Sequence, residues 1–424
     1  MNHLEFDAVI VGAGAAGLMC AAQAGLRGVR VLLVDHGKKV AEKIRISGGG
    51  RCNFTNVGAS HVNYISQNPH FCRSALARYT PQDFIDLVQK HGIAFHEKHK
   101  GQLFCDHSAQ DIITMLLREC EDGGVQRWQG CSVQQLRYET GAALPWSVHT
   151  ERGLVRSRAV VLASGGLSIP KIGATDWAWR VAQQFGLRTV APRPGLVPLV
   201  FDSQTWQSLS ALAGVALPIE IAVDAPIGKR TQRVAFSEDV LFTHRGLSGP
   251  AILQISSYWQ DGTPLHINLI PDHTSKLPDA PQRPPLLQHL LDCKQRGSRK
   301  LVANEMGAYL PARLVDYWIA QHPGCQRPLA DVADKALQQL CSSLQNWQVT
   351  PTGSEGYAKA EVTLGGIDTR DISQQTMETR QPGLYAIGEA VDVTGWLGGY
   401  NFQWAWASGA ACGEALGEML YNAG

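Results

Sequence analysis

Residues 6–35 read FDAVIVGAGAAGLMCAAQAGLRGVRVLLVD. Phe6–Val11 is a short apolar run, long enough for one buried strand. Gly12, Gly14 and Gly17 then form G-x-G-x-x-G, and Ala15 to Leu26 is rich in Ala, Leu and Met, which favours helix. Val29–Val34 is a second apolar, β-branched run with Asp35 at its end. The glycines thus lie between a strand and a helix, with an acidic residue about 20 positions on, the setting that marks a dinucleotide fingerprint. Gly12 permits the tight turn, Gly14 lets a pyrophosphate approach the backbone, and Gly17 lets the helix pack close to the sheet. The helix start at Ala15 and Ala16 offers N–H groups and a positive dipole end to phosphates. Asp35 suits a ribose 2′-hydroxyl and repels a 2′-phosphate, so a resident NADP is not expected here. A Gly/Ala-rich turn that binds nothing would explain the glycines but not their context.

The chain has 424 residues, which suggests two or three domains, and 44% of them are apolar. The net charge of +1 makes no electrostatic case for nucleic acid or for an anionic membrane surface. The first strand begins almost at once, with no basic and apolar leader before it, and no apolar run reaches the about 18 residues of a transmembrane helix. Ten scattered cysteines with no C-x-x-C pair fit reduced thiols in a cytoplasm. They argue against a disulfide framework or a zinc site, and no metal is expected.

After Asp35 comes HGKKVAEKIRISGGGRCNFTN, residues 36–56. Three consecutive glycines make Ser47–Gly50 a loop able to bring N–H groups near a ligand. Arg51, Cys52, Asn53 and Asn56 make it a better binding loop than a linker. Two short helices, two strands and a further helix are expected to about Glu121, then a small meander of strands. Ala159–Ala163 is a strand running into Ser164-Gly165-Gly166. At residues 190–201 a Pro-rich stretch breaks the α/β rhythm. Short strands to about Pro271 read as a β-barrel or sandwich, residues 272–285 as a polar linker, and 286–345 as helices. At about Trp347 the α/β texture returns, with Gly388-Glu389 ending a strand and Gly398-Gly399 preceding a long helix. This gives a discontinuous α/β domain, 1–190 with 347–424, an inserted barrel, 191–271, and a helical subdomain, 272–346.

Four glycine-bearing strand ends therefore meet at one sheet edge, where ligands bind in parallel sheets. A nicotinamide cofactor alone would leave the C-terminal element unused; a flavin would not. The AIGEA stretch resembles the second signature of glutathione-reductase-type FAD proteins, in which Glu389 would bond ribityl or pyrophosphate-side hydroxyls. The Gly398-Gly399-Tyr400-Asn401 helix start would aim N–H groups at the flavin edge that gains negative charge on reduction. For Trp404 and Trp406, core packing is the preferred role.

At this point the sequence resembles the BaiN/YhiN-like flavoprotein family of bacterial NAD(P)/FAD-dependent oxidoreductases. The resemblance rests on VGAGAAG (11–17), ISGGGRCNFTN (46–56), GQLFC (101–105), LASGGLSIPKIGA (162–174), LFTHRGLSGPAILQIS (241–256), EVTLGGID (361–368) and GLYAIGEAVDVTGWLGGYNFQWAWASG (383–409). It implies an α/β fold, a glutathione-reductase-type FAD-binding Rossmann-like domain with an inserted β-barrel and a small helical subdomain. One departure stands out. The family usually carries Gly-Arg-Lys before the SGGG loop, whereas here Ala41-Glu42-Lys43 occurs, with Arg45 in place of an apolar residue. Family members are linked to reduction of enone-type steroids and to oxidation of aminoacetone-like amines.

The expected FAD contacts are Gly12, Gly14, Ala15, Ala16, Gly17, Asp35, His36 and Lys43. Ser47, Gly48, Gly49, Gly50, Arg51, Cys52 and Asn53 follow, with Val133 touching the adenine by analogy with related FAD folds. Ala163, Ser164, Gly165, Gly388, Glu389, Gly398, Gly399, Tyr400, Asn401 and Phe402 complete the set. Candidate catalytic residues are Arg51, Cys52, Asn53, Tyr400 and His244, although Cys52 lacks a partner thiol and His244 suits a structural role better. The absence of a second G-x-G-x-x-G means that NADH or NADPH would bind only transiently. The first expectation is hydride transfer between flavin N5 and a small organic molecule. An amine oxidase using O₂ and a non-catalytic flavin sensor or scaffold are the alternatives. A flavin-dependent RNA-modifying enzyme shares the architecture, but the neutral charge makes it the weakest reading, and neither nucleic acid nor membrane is expected as a partner.

Overall fold

The computed structural model describes residues 4–228, 230–271 and 284–421. The chain divides into two compact units, Met1–Pro194 with Ala360–Gly424, and Gly195–Lys359.

In the first unit, five strands run parallel in the order Gln126–Gln129, Val31–Asp35, Leu4–Val11, Gly153–Leu162 and Leu384–Ala386. Val11 pairs with both Val34 and Leu162, and Leu162 with Ala386. The residues that follow these positions, Gly12, Asp35, Ala163 and Ile387, therefore leave the sheet side by side at its carboxyl edge. The Gly153–Leu162 strand is forked. Its first half pairs antiparallel with Trp146–Thr150, and its second half pairs parallel with Leu384–Ala386. Gln126–Gln129 was expected in the meander but joins the parallel sheet, because the Ala109–Asp122 helix before it makes a crossover connection from the sheet's other strands.

Two helices set the depth of the edge. Ala15–Gly25 follows the first strand, and Tyr400–Tyr421 packs along it. The contact is made by a stripe on the second helix. A Cβ at Gly409 would stand 2.6 Å from the Ala16 carbonyl oxygen, one at Gly413 2.6 Å from Gln23 Cβ, and one at Gly417 2.7 Å from Arg27 Cδ. Only glycines let these backbones come so close.

The second unit is built on a seven-stranded antiparallel sheet, in the order Trp347–Val349, Leu265–Asn268, Ala216–Ile227, Arg230–Phe242, Gly246–Ser248, Leu199–Val200, Gly353–Ser354. Its two edge strands end and begin at Val349 and Gly353, which the chain can separate by at most about 14 Å. The sheet therefore curls back towards itself, as a small barrel does. Helices Leu286–Gln295, Val302–Met306, Ala312–Ala320 and Asp334–Gln345 share one apolar core with it.

Three expected boundaries move. Thr189–Gly195 pairs with Val362–Ile367, so the first unit extends to Pro194 despite its prolines, which an outer strand tolerates. Trp347–Val349 pairs with Leu265–Asn268, and the Trp347 ring packs 5.5 Å from Trp318 and 5.9 Å from Phe242, so the first unit resumes only at Ala360. The division expected at 271/272 is no break in the core, since Leu269 N–H donates to the Leu344 carbonyl of the last helix. The expected linker, 272–285, lies outside the described residues except for its last two.

Candidate functional site

The glycine loop separates what packing needs from what it leaves open. Gly12 has φ +115°, and a Cβ there would stand 2.3 Å from the Ala163 carbonyl oxygen. A Cβ at Gly17 would lie 1.8 Å from the Gly12 carbonyl oxygen. A Cβ at Gly14 would meet nothing within 4 Å. A turn that bound nothing would account for Gly12 and Gly17 but would leave Gly14 unexplained. The helix that begins at Ala15 has no side-chain cap and no acidic residue in its first turn, so its N-terminal dipole faces this open space uncompensated. Asp35 braces the loop. Its two oxygens accept from the N–H groups of Ala13 and Gly37, each at 2.6 Å, and each keeps a lone pair for a ribose hydroxyl. Beside it, His36 Nε2 lies 2.9 Å from the Gly173 carbonyl oxygen, and Cys131 N–H donates to the Asp35 carbonyl just before the strand that Val133 opens.

At the next strand end, Ser164 Oγ is buried and has no hydrogen-bond partner among the described residues. A buried hydroxyl left unpaired at a sheet edge is costly unless a ligand completes it. Gly165 (φ +75°) and Gly166 follow. A Cβ on Gly166 would collide with Thr363 Oγ1 at 2.5 Å and approach Glu389 at 3.1 Å. Glu389 is tightly held. It accepts from Lys43 Nζ at 2.5 Å, from Thr363 N–H at 2.8 Å and from Ser168 Oγ at 3.1 Å, while Lys43 also donates to Ser168 at 2.6 Å. Ser168 and Thr363 were not expected; both lie inside motifs quoted above, but no spacing links them. The unusual Glu42 is ion-paired to Arg45 at 2.8 Å. The acidic residue and the extra arginine thus neutralise each other, and Lys43 remains with Glu389.

The Ser47–Gly50 turn carries Gly48, Gly49 and Gly50 at φ +57°, +67° and +87°. Gly48 sits against Phe104, whereas a Cβ on Gly49 or Gly50 would meet nothing within 4 Å. Ser47 Oγ donates to the Ile44 carbonyl at 2.8 Å. The strand that follows, Asn53–Asn56, is docked on the C-terminal helix and the Gly398 backbone before it. Asn56 Nδ2 donates to the Gly398 carbonyl at 3.0 Å, Thr55 Oγ1 to Gln403 Oε1 at 2.7 Å, and Trp406 Nε1 to the Phe54 carbonyl at 2.8 Å. Trp404 Nε1 reaches the Gly388 carbonyl at 3.0 Å. Both tryptophans are fully buried and pin strand ends to the helix, consistent with the packing role expected of them.

The expected catalytic residues differ in fitness. Cys52 is fully buried, and burial drives its thiol far above the ordinary cysteine range, so it is no thiolate at neutral pH. Asn53 is wedged between Gln102 and the Gly399 backbone. The Asn401 carboxamide closes its own loop, bonding both the N–H and the carbonyl of Gly395, so only its backbone can face a cofactor. Arg51 is exposed. Tyr400 is half-buried at the helix start, edge-on to Tyr64 and Trp396, and Phe402 stacks on Trp406 at 5.6 Å. His244 belongs to the second unit, exposed in the turn between Arg230–Phe242 and Gly246–Ser248.

The open space above Gly14, the orphaned Ser164 hydroxyl and the bare Gly49-Gly50 backbone fit an extended dinucleotide at this edge. Comparison with known proteins agrees. The family model described as HI0933-like protein Rossmann domain matches residues 6–415. The chain is 49% identical over 416 residues, 97% of its length and 98% of the relative's, to the ribosomal RNA dihydrouridine synthase of Escherichia coli (strain K12). It is 25% identical, over 96% of its own length and 98% of the relative's, to a 3-dehydro-bile acid delta(4,6)-reductase of Clostridium scindens. A solved quinol-fumarate reductase with menaquinol molecules shares the fold, with TM-score 0.50 and 16% identity over 100% of this chain and 73% of that one. The chain belongs to the HI0933-like family and is an FAD-binding flavoenzyme, an oxidoreductase with a Rossmann-like α/β fold.

Proposed function

We propose that this enzyme saturates the C5–C6 bond of a uridine in ribosomal RNA, with NADH or NADPH as transient reductant. The carrying observation is the 49% identity, over nearly all of both chains, to a relative named for that reaction. A chemical argument supports it. The uracil C5–C6 bond is conjugated with the C4 carbonyl, and a 4,6-unsaturated 3-oxo steroid presents the same enone. The names of a near and a distant relative therefore share one bond type: hydride goes to the carbon remote from the carbonyl, and a proton to its neighbour. For uridine the balance is one NAD(P)H and one proton consumed per dihydrouridine formed.

Bound FAD would supply the hydride carrier between the nucleotide and C6. The chain's own residues do the rest. We assign the pyrophosphate to the Gly12–Gly17 loop with Ala15 and Ala16, and the adenosine end to Asp35, His36 and Val133. The middle of the cofactor falls to Lys43, Ala163, Ser164, Gly165, Gly388 and Glu389. The ring falls to Ser47–Gly50, Asn53 and the Gly398–Phe402 helix start. Tyr400 is the proton donor to C5, since Cys52 is buried and protonated while Asn53 is held by its neighbours. Arg51, which is exposed, is a substrate contact. The net charge of +1 favours a small molecule instead, but it does not show where charges lie, and a flipped-out uridine needs only local phosphate contacts. Such a substrate places the reaction in the cytoplasm.

The test is to incubate the purified flavoprotein with ribosomal RNA from cells lacking it, plus NADPH or NADH, and to digest the RNA for nucleoside mass spectrometry. Dihydrouridine should accumulate in step with nucleotide oxidation. Reduction of steroid enones without any dihydrouridine would overturn the RNA substrate. Hydrogen peroxide formed from a small amine without NAD(P)H would favour the oxidase.

A further inference from the structure

The second unit holds a cluster that the flavin chemistry does not use. His289 and Cys293 stand four residues apart on one face of the Leu286–Gln295 helix, and Glu305 reaches them from the Val302–Met306 helix. His289 Nε2 lies 3.7 Å from Cys293 Sγ and 3.6 Å from Glu305 Oε2, and Cys293 Sγ lies 3.8 Å from the same oxygen. A direct histidine–carboxylate hydrogen bond would close to about 2.8 Å. These atoms instead form a nearly equilateral triangle, and an ion on its axis lies about 2.1 Å from each in the plane and about 2.3 Å from each when raised toward a fourth ligand, the range of zinc–ligand bonds. We propose that His289, Cys293 and Glu305 bind one Zn²⁺, with water in the fourth position.

The donors suit that ion. One nitrogen, one sulfur and one carboxylate oxygen form a borderline-soft set that disfavours Ca²⁺ and Mg²⁺. Ser298 Oγ bonds the other Glu305 oxygen at 2.9 Å and fixes the carboxylate, the orienting contact that metal ligands need. Arg296 Nη2 is 3.5 Å from Cys293 Sγ; it is exposed at the helix end and must turn aside when the ion takes the sulfur. The ion would clip the two helices across the 296–301 connection. The sequence hides the site because it has no C-x-x-C and its third ligand comes from another helix.

The experiment uses the full-length flavoprotein, treated with a chelator and then titrated with Zn²⁺ or Co²⁺ alone. One equivalent of zinc should bind, with a rise in melting temperature. Cobalt should give a thiolate-to-metal charge-transfer band. Cys293→Ser should abolish that band and His289→Gln should weaken binding, both with FAD content unchanged. No saturable zinc binding by the wild-type protein, or no thiolate band at saturating cobalt, would overturn the proposal even if every variant misfolds. So would equally tight zinc binding by the His289→Gln, Cys293→Ser double variant.

Discussion

At the scale of single residues, the first two glycines to compare are Gly14 and Gly17. Alanine at 17 would place its methyl 1.8 Å from a backbone oxygen that cannot give way. Gly17→Ala should therefore destabilise the apoprotein by about 1–3 kcal/mol or more. Alanine at 14 meets nothing, so the apoprotein should melt as wild type, while FAD binding weakens by about 10–100-fold as the methyl enters the phosphate's space. Melting curves and FAD titration on both variants check this; equal melting losses would show that Gly14 serves packing as well. Tyr400→Phe should retain FAD and lower turnover by about 10²-fold, with the loss seen in kcat, as expected for a missing proton donor. Cys52→Ala should leave turnover near wild type, because its buried thiol is protonated at neutral pH.

At the scale of elements, the glycine stripe on the C-terminal helix controls the site at a distance. Gly413→Leu would push the Tyr400–Tyr421 helix off Ala15–Gly25 and with it the strand ends that Trp404 and Trp406 hold. FAD release should begin below the melting temperature of the sheet, followed by flavin fluorescence and far-UV circular dichroism in one heating scan. The Asp368–Asp371 turn makes a pH prediction. Burial pushes Asp371 up, but hydrogen bonds from the Arg188 backbone at 2.7 Å and guanidinium at 2.6 Å prevail and hold it below the ordinary range. A depressed folded value stabilises the protein above the unfolded value of about 3.9, and that stability is lost as pH falls through the folded value. Denaturant midpoints should drop on the acid side, and Asp371→Asn should flatten that drop. The βαβ unit was legible because its constraints are local: strand, turn, helix and acid within thirty residues. Trp347–Val349 was not, because an apolar run announces a strand without naming its partner. Its own sequence could not show that Leu265–Asn268 rather than the parallel sheet would take it.

At the scale of the molecule, sequence motifs located the edge of the site better than its contents. The segments at Gly12, Ser164 and Gly388 do leave parallel strands at one edge, whereas Gly48–Gly50 follows the short Glu42–Ile46 helix and is not a strand end. The Lys43–Ser168–Thr363–Glu389 cluster was largely unreadable, since its members are drawn from four separate segments spread over more than three hundred residues, and only folding makes them neighbours. The same holds for Gln102, known in sequence only as part of GQLFC but now against Gly398 and Asn53. Net charge speaks to a different scale. A sum over 424 residues describes solubility and long-range attraction, and carries no information on a contact made by two or three side chains.

The forked strand sets an order of events during synthesis. Its first half pairs with residues 146–150, which leave the ribosome moments earlier, so that hairpin can close at once. Its second half must wait for residues 384–386, made after the whole of the second unit has emerged. Until then the carboxyl edge lacks Gly388, Glu389 and the helix that docks on the Asn53–Asn56 strand. With the flavin seated as proposed, cofactor capture is tied to completion of the chain: a polypeptide truncated before residue 384 carries the fingerprint but should purify colourless, while the whole chain should be yellow.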